Sequence, residues 1–122
     1  MASLQDHIER INGVREFIGE HIDEPLDRAR LAAVAGFSVP HFHRLFYVHV
    51  GENIGRYVRR ARLTRAGRKL RMGAVDIAEV AQAAGYDSHA AFAKAFKQQY
   101  GLSPSEFRQL DCTSSTQLLT KG

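Results

Sequence analysis

The sequence predicts an all-α protein: two helix-turn-helix units joined by a long connecting helix, about seven helices in all. Three observations predict it. Apolar residues recur at three- and four-residue steps, and no alternating run is long enough for a strand. Residues 26–57 and 75–107 repeat one another. Leu26–Phe37 lies over Val75–Tyr86 without a gap, and after one inserted residue Phe42, Phe46, Gly51 and Tyr57 fall on Phe92, Phe96, Gly101 and Phe107. Between the repeats, residues 53–75 hold eight Lys and Arg side chains and no acid.

The first helix is expected over 4–22, with Leu4, Ile8, Ile11, Val14, Ile18 and Ile22 on one stripe. Glu24-Pro25 breaks it, because a residue before proline is pushed out of the helical region. Asp27 caps a short helix over 28–35, and Gly36 ends it. Ser38 caps the third helix, whose first turn accepts Pro40, and Gly51 ends it. Asn53 opens a long fourth helix reaching about Arg71, closed by Gly73. Asp76 then starts the fifth, Gly85 makes the turn, and Ser88 opens a sixth that runs to Tyr100. Ser103-Pro104-Ser105-Glu106 combines a capping serine, a proline at the first helical position and a glutamate at the third. The Ser/Thr-rich stretch 111–122 reads as a frayed tail in which Leu118-Leu119 are candidates to dock. The expected organisation is thus 1–52 (N-terminal helix and first unit), 53–72 (connecting helix), 73–110 (second unit) and 111–122 (flexible tail).

A chain of 122 residues suffices for one domain or two very small ones sharing an element. Its 44% hydrophobic content supports a packed core, and its net charge of +4 fits a polyanionic partner. The single cysteine, Cys112, excludes a disulfide framework and any multi-cysteine zinc site. With no signal peptide and no apolar run near 18 residues, the expectation is a soluble cytoplasmic protein without a membrane partner.

Within 28–45 the residue types suit a helix-turn-helix. Ala32 falls where two helices pass closest, Gly36 where a positive φ is needed, and Phe42 and Leu45 face inward. The same types return at Ala81, Gly85, Phe92 and Ala95, which argues against a generic helical bundle and for two homeodomain-like three-helix units. Helix-turn-helix is a DNA-reading arrangement whose second helix enters the major groove. Projected at about 100° per residue, the third helix turns Val39, Phe42, Leu45, Phe46 and His49 inward. Pro40, His43, Arg44 and Tyr47 face out. Arg44 can fork onto guanine O6 and N7, and His43 can bond a base edge. A lone exposed arginine is ordinarily a solvated charge; its place in the unit marks Arg44 as a reader.

The sixth helix turns Ala90, Ala93, Lys94 and Lys97 outward, with His89 at the edge. Alanines offer methyl contacts to thymine, and lysines are point charges suited to phosphate. The first unit is therefore expected to read more sequence and the second to add affinity and register. Reading by Lys94 and His89 through a close approach or a bridging water stays open. The candidate base contacts are Pro40, His43, Arg44, Tyr47, His89, Ala90, Ala93 and Lys94. The candidate phosphate contacts are Ser38, Arg56, Arg59, Arg60, Ser88 and Lys97.

The acid-free connecting helix repels itself unless an anion lies alongside. Ile54, Tyr57, Val58 and Ala61 form one apolar stripe, and Leu63, Ala66 and Leu70 another on nearly the opposite side. One helix is thus expected to serve two cores, with its arginines facing away from both. Eighteen residues span about 27 Å. That is enough to set two reading helices about one DNA turn, ~34 Å, apart on one side of a duplex, so that a monomer occupies two successive major-groove segments.

Other chemistry finds little support. Gly13, Gly19, Gly55, Gly67 and Gly73 are scattered and form no phosphate loop. His41 and His43 point about 200° apart on a helix and cannot share an ion. No enzyme activity, metal or cofactor is expected. A basic adaptor for RNA or protein is the rival reading, although stacking on RNA favours exposed aromatics and Tyr47 is the main one outside the core stripes.

Several segments resemble the AraC/XylS family of bacterial transcription regulators, in the layout of its small MarA/SoxS/Rob-type activators. They are Leu31-Ala32-Ala33-Val34-Ala35-Gly36-Phe37-Ser38, His43-Arg44-Leu45-Phe46, Ile77-Ala78-Glu79-Val80-Ala81, Gly85-Tyr86-Asp87-Ser88 and Phe92. To these is added the run Phe96-Lys97-Gln98-Gln99-Tyr100-Gly101-Leu102-Ser103-Pro104-Ser105-Glu106-Phe107-Arg108, whose Gly-x-Ser-Pro-x-x-aromatic-Arg ending is the most specific. The resemblance covers residues 5–110. It implies two helix-turn-helix subdomains on a partly degenerate, non-palindromic DNA site, and activation by recruiting RNA polymerase. It places base readers at Pro40, His43 and Arg44, then at His89, Ala90, Ala91, Ala93 and Lys94, where three alanines depart from the polar residues often found. The family usually adds a ligand-sensing domain. None is visible here, which leaves a stand-alone activator and a module of a longer regulator both open.

Overall fold

The computed structural model describes residues 4–72, 76–110 and 117–119. Its named elements are α1 (Leu4–Glu20), α2 (Arg28–Ala35), α3 (Val39–Val50), α4 (Ile54–Arg71), α5 (Ile77–Ala83), α6 (His89–Tyr100) and α7 (Pro104–Arg108). Residues 117–119 are helical too, and no strand occurs among the described residues. The expected helix stop at Gly73, the repeat position Val75, and tail residues 111–116 (Cys112 among them) and 120–122 lie outside the described residues.

Two compact units divide the chain, Met1–Arg59 and Arg60–Gly122. The boundary falls inside α4 rather than at its ends. In the first unit the core is Ile11, Val14, Ile18 and Ile22, then Leu31, Ala32 and Ala35, then Phe42 and Phe46, then Ile54 and Val58. The α1 stripe holds in the middle and fails at one end: Leu4 is 66% exposed. The helix stops at Glu20, and Ile22 closes the core from the following turn. The Asp27 carboxylate accepts the Arg30 N–H at 2.8 Å to start α2. Gly36 ends that helix at φ 77°, a conformation that costs a side-chain-bearing residue roughly 1–2 kcal/mol.

The second unit repeats this plan. Leu63, Ala66 and Leu70 of α4 pack with Val80, Ala81, Ala84, Phe92, Phe96, Tyr100 and Phe107. The correspondence extends beyond residues 26–57 and 75–107. Arg10, Ile11, Val14 and Ile18 in α1 match Arg62, Leu63, Ala66 and Leu70 in α4, in spacing and, for the three apolar positions, in burial. So α4 begins as the last helix of one unit and continues as the first helix of the next. Its opening half in turn matches α7. Tyr57 stands edge-on to Phe46 with centroids 5.3 Å apart, and Phe107 stands edge-on to Phe96 at 5.2 Å.

Ser103 and Glu106 form a complete capping box on α7. The Ser103 backbone N–H, and then its hydroxyl, hold the Glu106 carboxyl below the usual carboxylate range. Because the folded value is the lower one, this contribution is present above the ordinary carboxylate range and is lost as pH falls through the lowered value.

Leu119 is one of the two tail leucines expected as candidates to dock. It is buried in the second core with Leu118 packed beside it. A Cβ on Gly67 would lie 2.6 Å from Leu119 Cδ2 and 3.6 Å from Phe107 Cζ, so the glycine leaves the seat that the leucine fills. Leu119→Ala is expected to lower the stability of the second unit by about 2 kcal/mol, the low end for buried leucine. Urea denaturation followed by circular dichroism measures this; an unchanged midpoint would mean that the segment contributes no stability.

Candidate nucleic-acid interface

The helices α3 and α6 are each fixed at both ends by the same chemistry. Ser38 Oγ accepts the His41 N–H at 3.4 Å, and Ser88 Oγ accepts the Ala91 N–H at 3.1 Å. In both caps the hydroxyl serves as acceptor, which leaves its proton available to an outside acceptor. At the other ends Gly51 and Gly101 adopt φ 90° and 79°, and their N–H groups donate to Tyr47 and Lys97 carbonyls. Phe42 and Phe46 anchor α3, and Phe92 and Phe96 anchor α6; all four are fully buried, and each pair has centroids 5.7 Å apart.

With the inner face fixed, the outer one follows from helical period. Pro40, Arg44 and Tyr47 are exposed on α3, Tyr47 at 58%. At the same register on α6, Ala90, Lys94 and Lys97 are exposed, as is His89. His43 and Ala93, also expected outside, are half-buried. The His43 Nδ1 is sealed from solvent without a hydrogen-bond partner, so Nε2 is the atom left for a ligand. Val39, expected inward, is 38% exposed, and Leu45 and His49 are half-buried rather than core. Core contact along α3 is concentrated on Phe42 and Phe46, one turn apart, and the flanking positions drift out.

The α4 arginines do not all face away from the cores. Arg56 and Arg59 are exposed. Arg60, Arg62 and Arg65 are half-buried, and the Arg60 carbonyl accepts from Gln99 Nε2 at 3.5 Å. These three lie where α4 becomes the first helix of the second unit. The electrostatic bias stands regardless: residues 28–72 carry eleven of the 17 Lys and Arg and a single acid, Glu52. A segment so unbalanced favours a polyanion beside it.

Sequence reasoning missed Arg10 and Arg62. Each guanidinium reaches the turn glycine of its own unit, Gly36 or Gly85. The sequence signal is the matching Arg-Ile and Arg-Leu pairs that head the two buried stripes.

Among the described residues no group of three His, Cys, Asp or Glu side chains is placed to hold a metal ion, and no helix is long and apolar enough to cross a membrane.

A helix-turn-helix domain family model matches residues 31–110. The chain is 32% identical over 102 residues to the regulatory protein SoxS of Salmonella typhimurium, covering 84% of this chain and 95% of that protein. It is 37% identical over 89 residues to the right origin-binding protein of Escherichia coli K12, covering 73% of this chain but 31% of that protein. The chain therefore spans about a third of the length of that relative. AraC-type DNA-binding domains share the fold in solved structures. The DNA-binding domain of AdpA, determined with a target DNA, is 31% identical and superposes with a TM-score of 0.72 over 80% of this chain and 88% of that one.

Proposed function

The chain belongs to the AraC-type helix-turn-helix family, and from that premise we propose that it is a transcription regulator reading DNA unequally with its two units. The observation that carries this reading is the paired outer face: one register, two chemistries. On α3 the exposed and half-exposed positions are Pro40, His43, Arg44 and Tyr47; on α6 the same positions are Ala90, Ala93, Lys94 and Lys97. Arginine forks onto guanine, whereas lysine is a point charge for phosphate and alanine carries no hydrogen-bonding group. More of the base reading therefore belongs to α3, with Arg44 central. On α6, Lys97 and the Ser88 hydroxyl serve phosphate, and Ala90 and Ala93 admit thymine methyls. Ser38, Arg56, Arg59 and Arg60 are the phosphate contacts on the first side.

One chain acting as a monomer occupies two successive major-groove segments; the length of α4, 18 residues, supports this. RNA polymerase is the partner, activation the outcome, and the cytoplasm, on the nucleoid, the location, as the family resemblance implies. The match to 31% of the right origin-binding protein favours a second reading, in which the same module works within a longer ligand-responsive regulator.

Selection of bound duplexes from a random library tests the first reading. The expected product is a non-palindromic site with strong preference in one half and weak preference in the other. A palindromic site would overturn monomer binding, and preferential retention of single-stranded RNA would overturn the DNA role. Arg44→Ala is expected to weaken binding to the selected site by roughly 1–3 kcal/mol and to relax preference at one base position. An equal loss on random DNA, measured by fluorescence anisotropy, would make Arg44 a phosphate contact.

A further inference from the structure

We propose that Arg10 and Arg62 are positioning residues for DNA reading. Each fills the bare turn of its own unit and so fixes the angle at which the next helix offers its outer face. The inference rests on the DNA-reading role proposed above. Each turn pivots on a glycine with positive φ, Gly36 at 77° and Gly85 at 90°. Such a residue has no side chain to pack, which makes it the softest joint between the two helices.

A guanidinium occupies the space. Arg10 Nη1 lies 3.0 Å from where a Cβ on Gly36 would sit and donates to the Ala35 carbonyl at 3.4 Å. The Arg10 guanidinium carbon stands 5.2 Å from the Phe37 ring centre, and Asp6 holds Nε at 3.0 Å. One planar group thus touches the last residue of α2, the turn glycine and the residue after it. Phe37 passes the contact to α3 through His41, whose ring centre is 5.0 Å away. Positive charge also suits the carbonyl end of α2.

In the second unit Arg62 Nη1 lies 3.7 Å from the Cβ position of Gly85, and the residue after that glycine, Tyr86, packs on Phe92 of α6 at 5.7 Å. Two different helices deliver an arginine to the same place, each one residue ahead of a buried stripe. A merely solvated charge would have no reason to recur there. Base reading needs placement within about 0.5 Å, so a loosened joint degrades recognition before it degrades folding.

The test compares the wild-type chain with Arg10→Met, Arg10→Lys and Arg62→Met on the library-selected duplex and on a random duplex. Arg10→Met is expected to lower the selected-to-random affinity ratio about tenfold, the scale of one well-placed base contact. Random-duplex affinity should stay within about twofold and the salt slope unchanged, because no phosphate contact is lost. Arg10→Lys keeps the charge without the planar fork; it recovers only part of the ratio and carries the test if the methionine variant unfolds. Base preference relaxes in the half-site that Arg44→Ala affects, while Arg62→Met leaves that half-site unchanged. An unaltered ratio, an equal loss on both duplexes, or relaxation of the same half-site by both arginine variants would overturn the inference. A wild-type chain that selects no sequence would remove the underlying reading, and this inference with it.

Discussion

Phe92→Ala is expected to destabilise the second unit by about 3–5 kcal/mol, a large share of what so small a unit can possess. Phe92 is fully buried and sits between Tyr86 and Phe96, each 5.7 Å away. Those two contacts tie the turn to the middle of α6, so the truncation opens a void at the seam of the helix-turn-helix. The first unit has its own core, anchored by Phe42 and Phe46. Thermal unfolding of the variant should therefore separate into two steps, with the second unit melting first. Selected-site affinity should fall with it, because α6 no longer holds Lys94 and Lys97 in register. A melting curve like that of the wild type would show that Phe92 does not anchor α6.

Salt should have the other large effect. If about six phosphates are neutralised, log affinity falls against log salt with a slope near −5, so a fourfold rise in salt weakens binding about a thousandfold. The cations are dense enough: eleven Lys and Arg against one acid in residues 28–72. Anisotropy titrations at several salt concentrations measure the slope. A value shallower than about −2 would mean that α4 does not lie along the backbone of the duplex.

Most of the helical plan was legible because the punctuation is local. Asp27, Ser38, Asp76, Ser88 and Ser103 cap helices, and Gly36, Gly51, Gly85 and Gly101 turn left-handed where the repeat required it. What periodicity misjudged were the helix margins. Leu4 and Val39 continue an apolar stripe on paper but are exposed. The half-burial of Arg60, Arg62 and Arg65 was hidden because it depends on what packs on α4, not on the spacing along it. Leu119 was readable as a candidate, yet only Gly67, 52 positions earlier, explains where it goes. In the interface the exposed faces follow from the helical period, whereas Arg10 and Arg62 required tertiary contacts to notice.

Because α4 is the closing helix of one unit and the opening helix of the other, the protein has no clean seam. A cassette exchange between relatives, or a truncation meant to isolate either half, must cut through a continuous helix and strip one half of Ile54 and Val58 or the other of Leu63, Ala66 and Leu70. The duplication is therefore an overlapping one, and its halves are expected to be inherited, lost and engineered together.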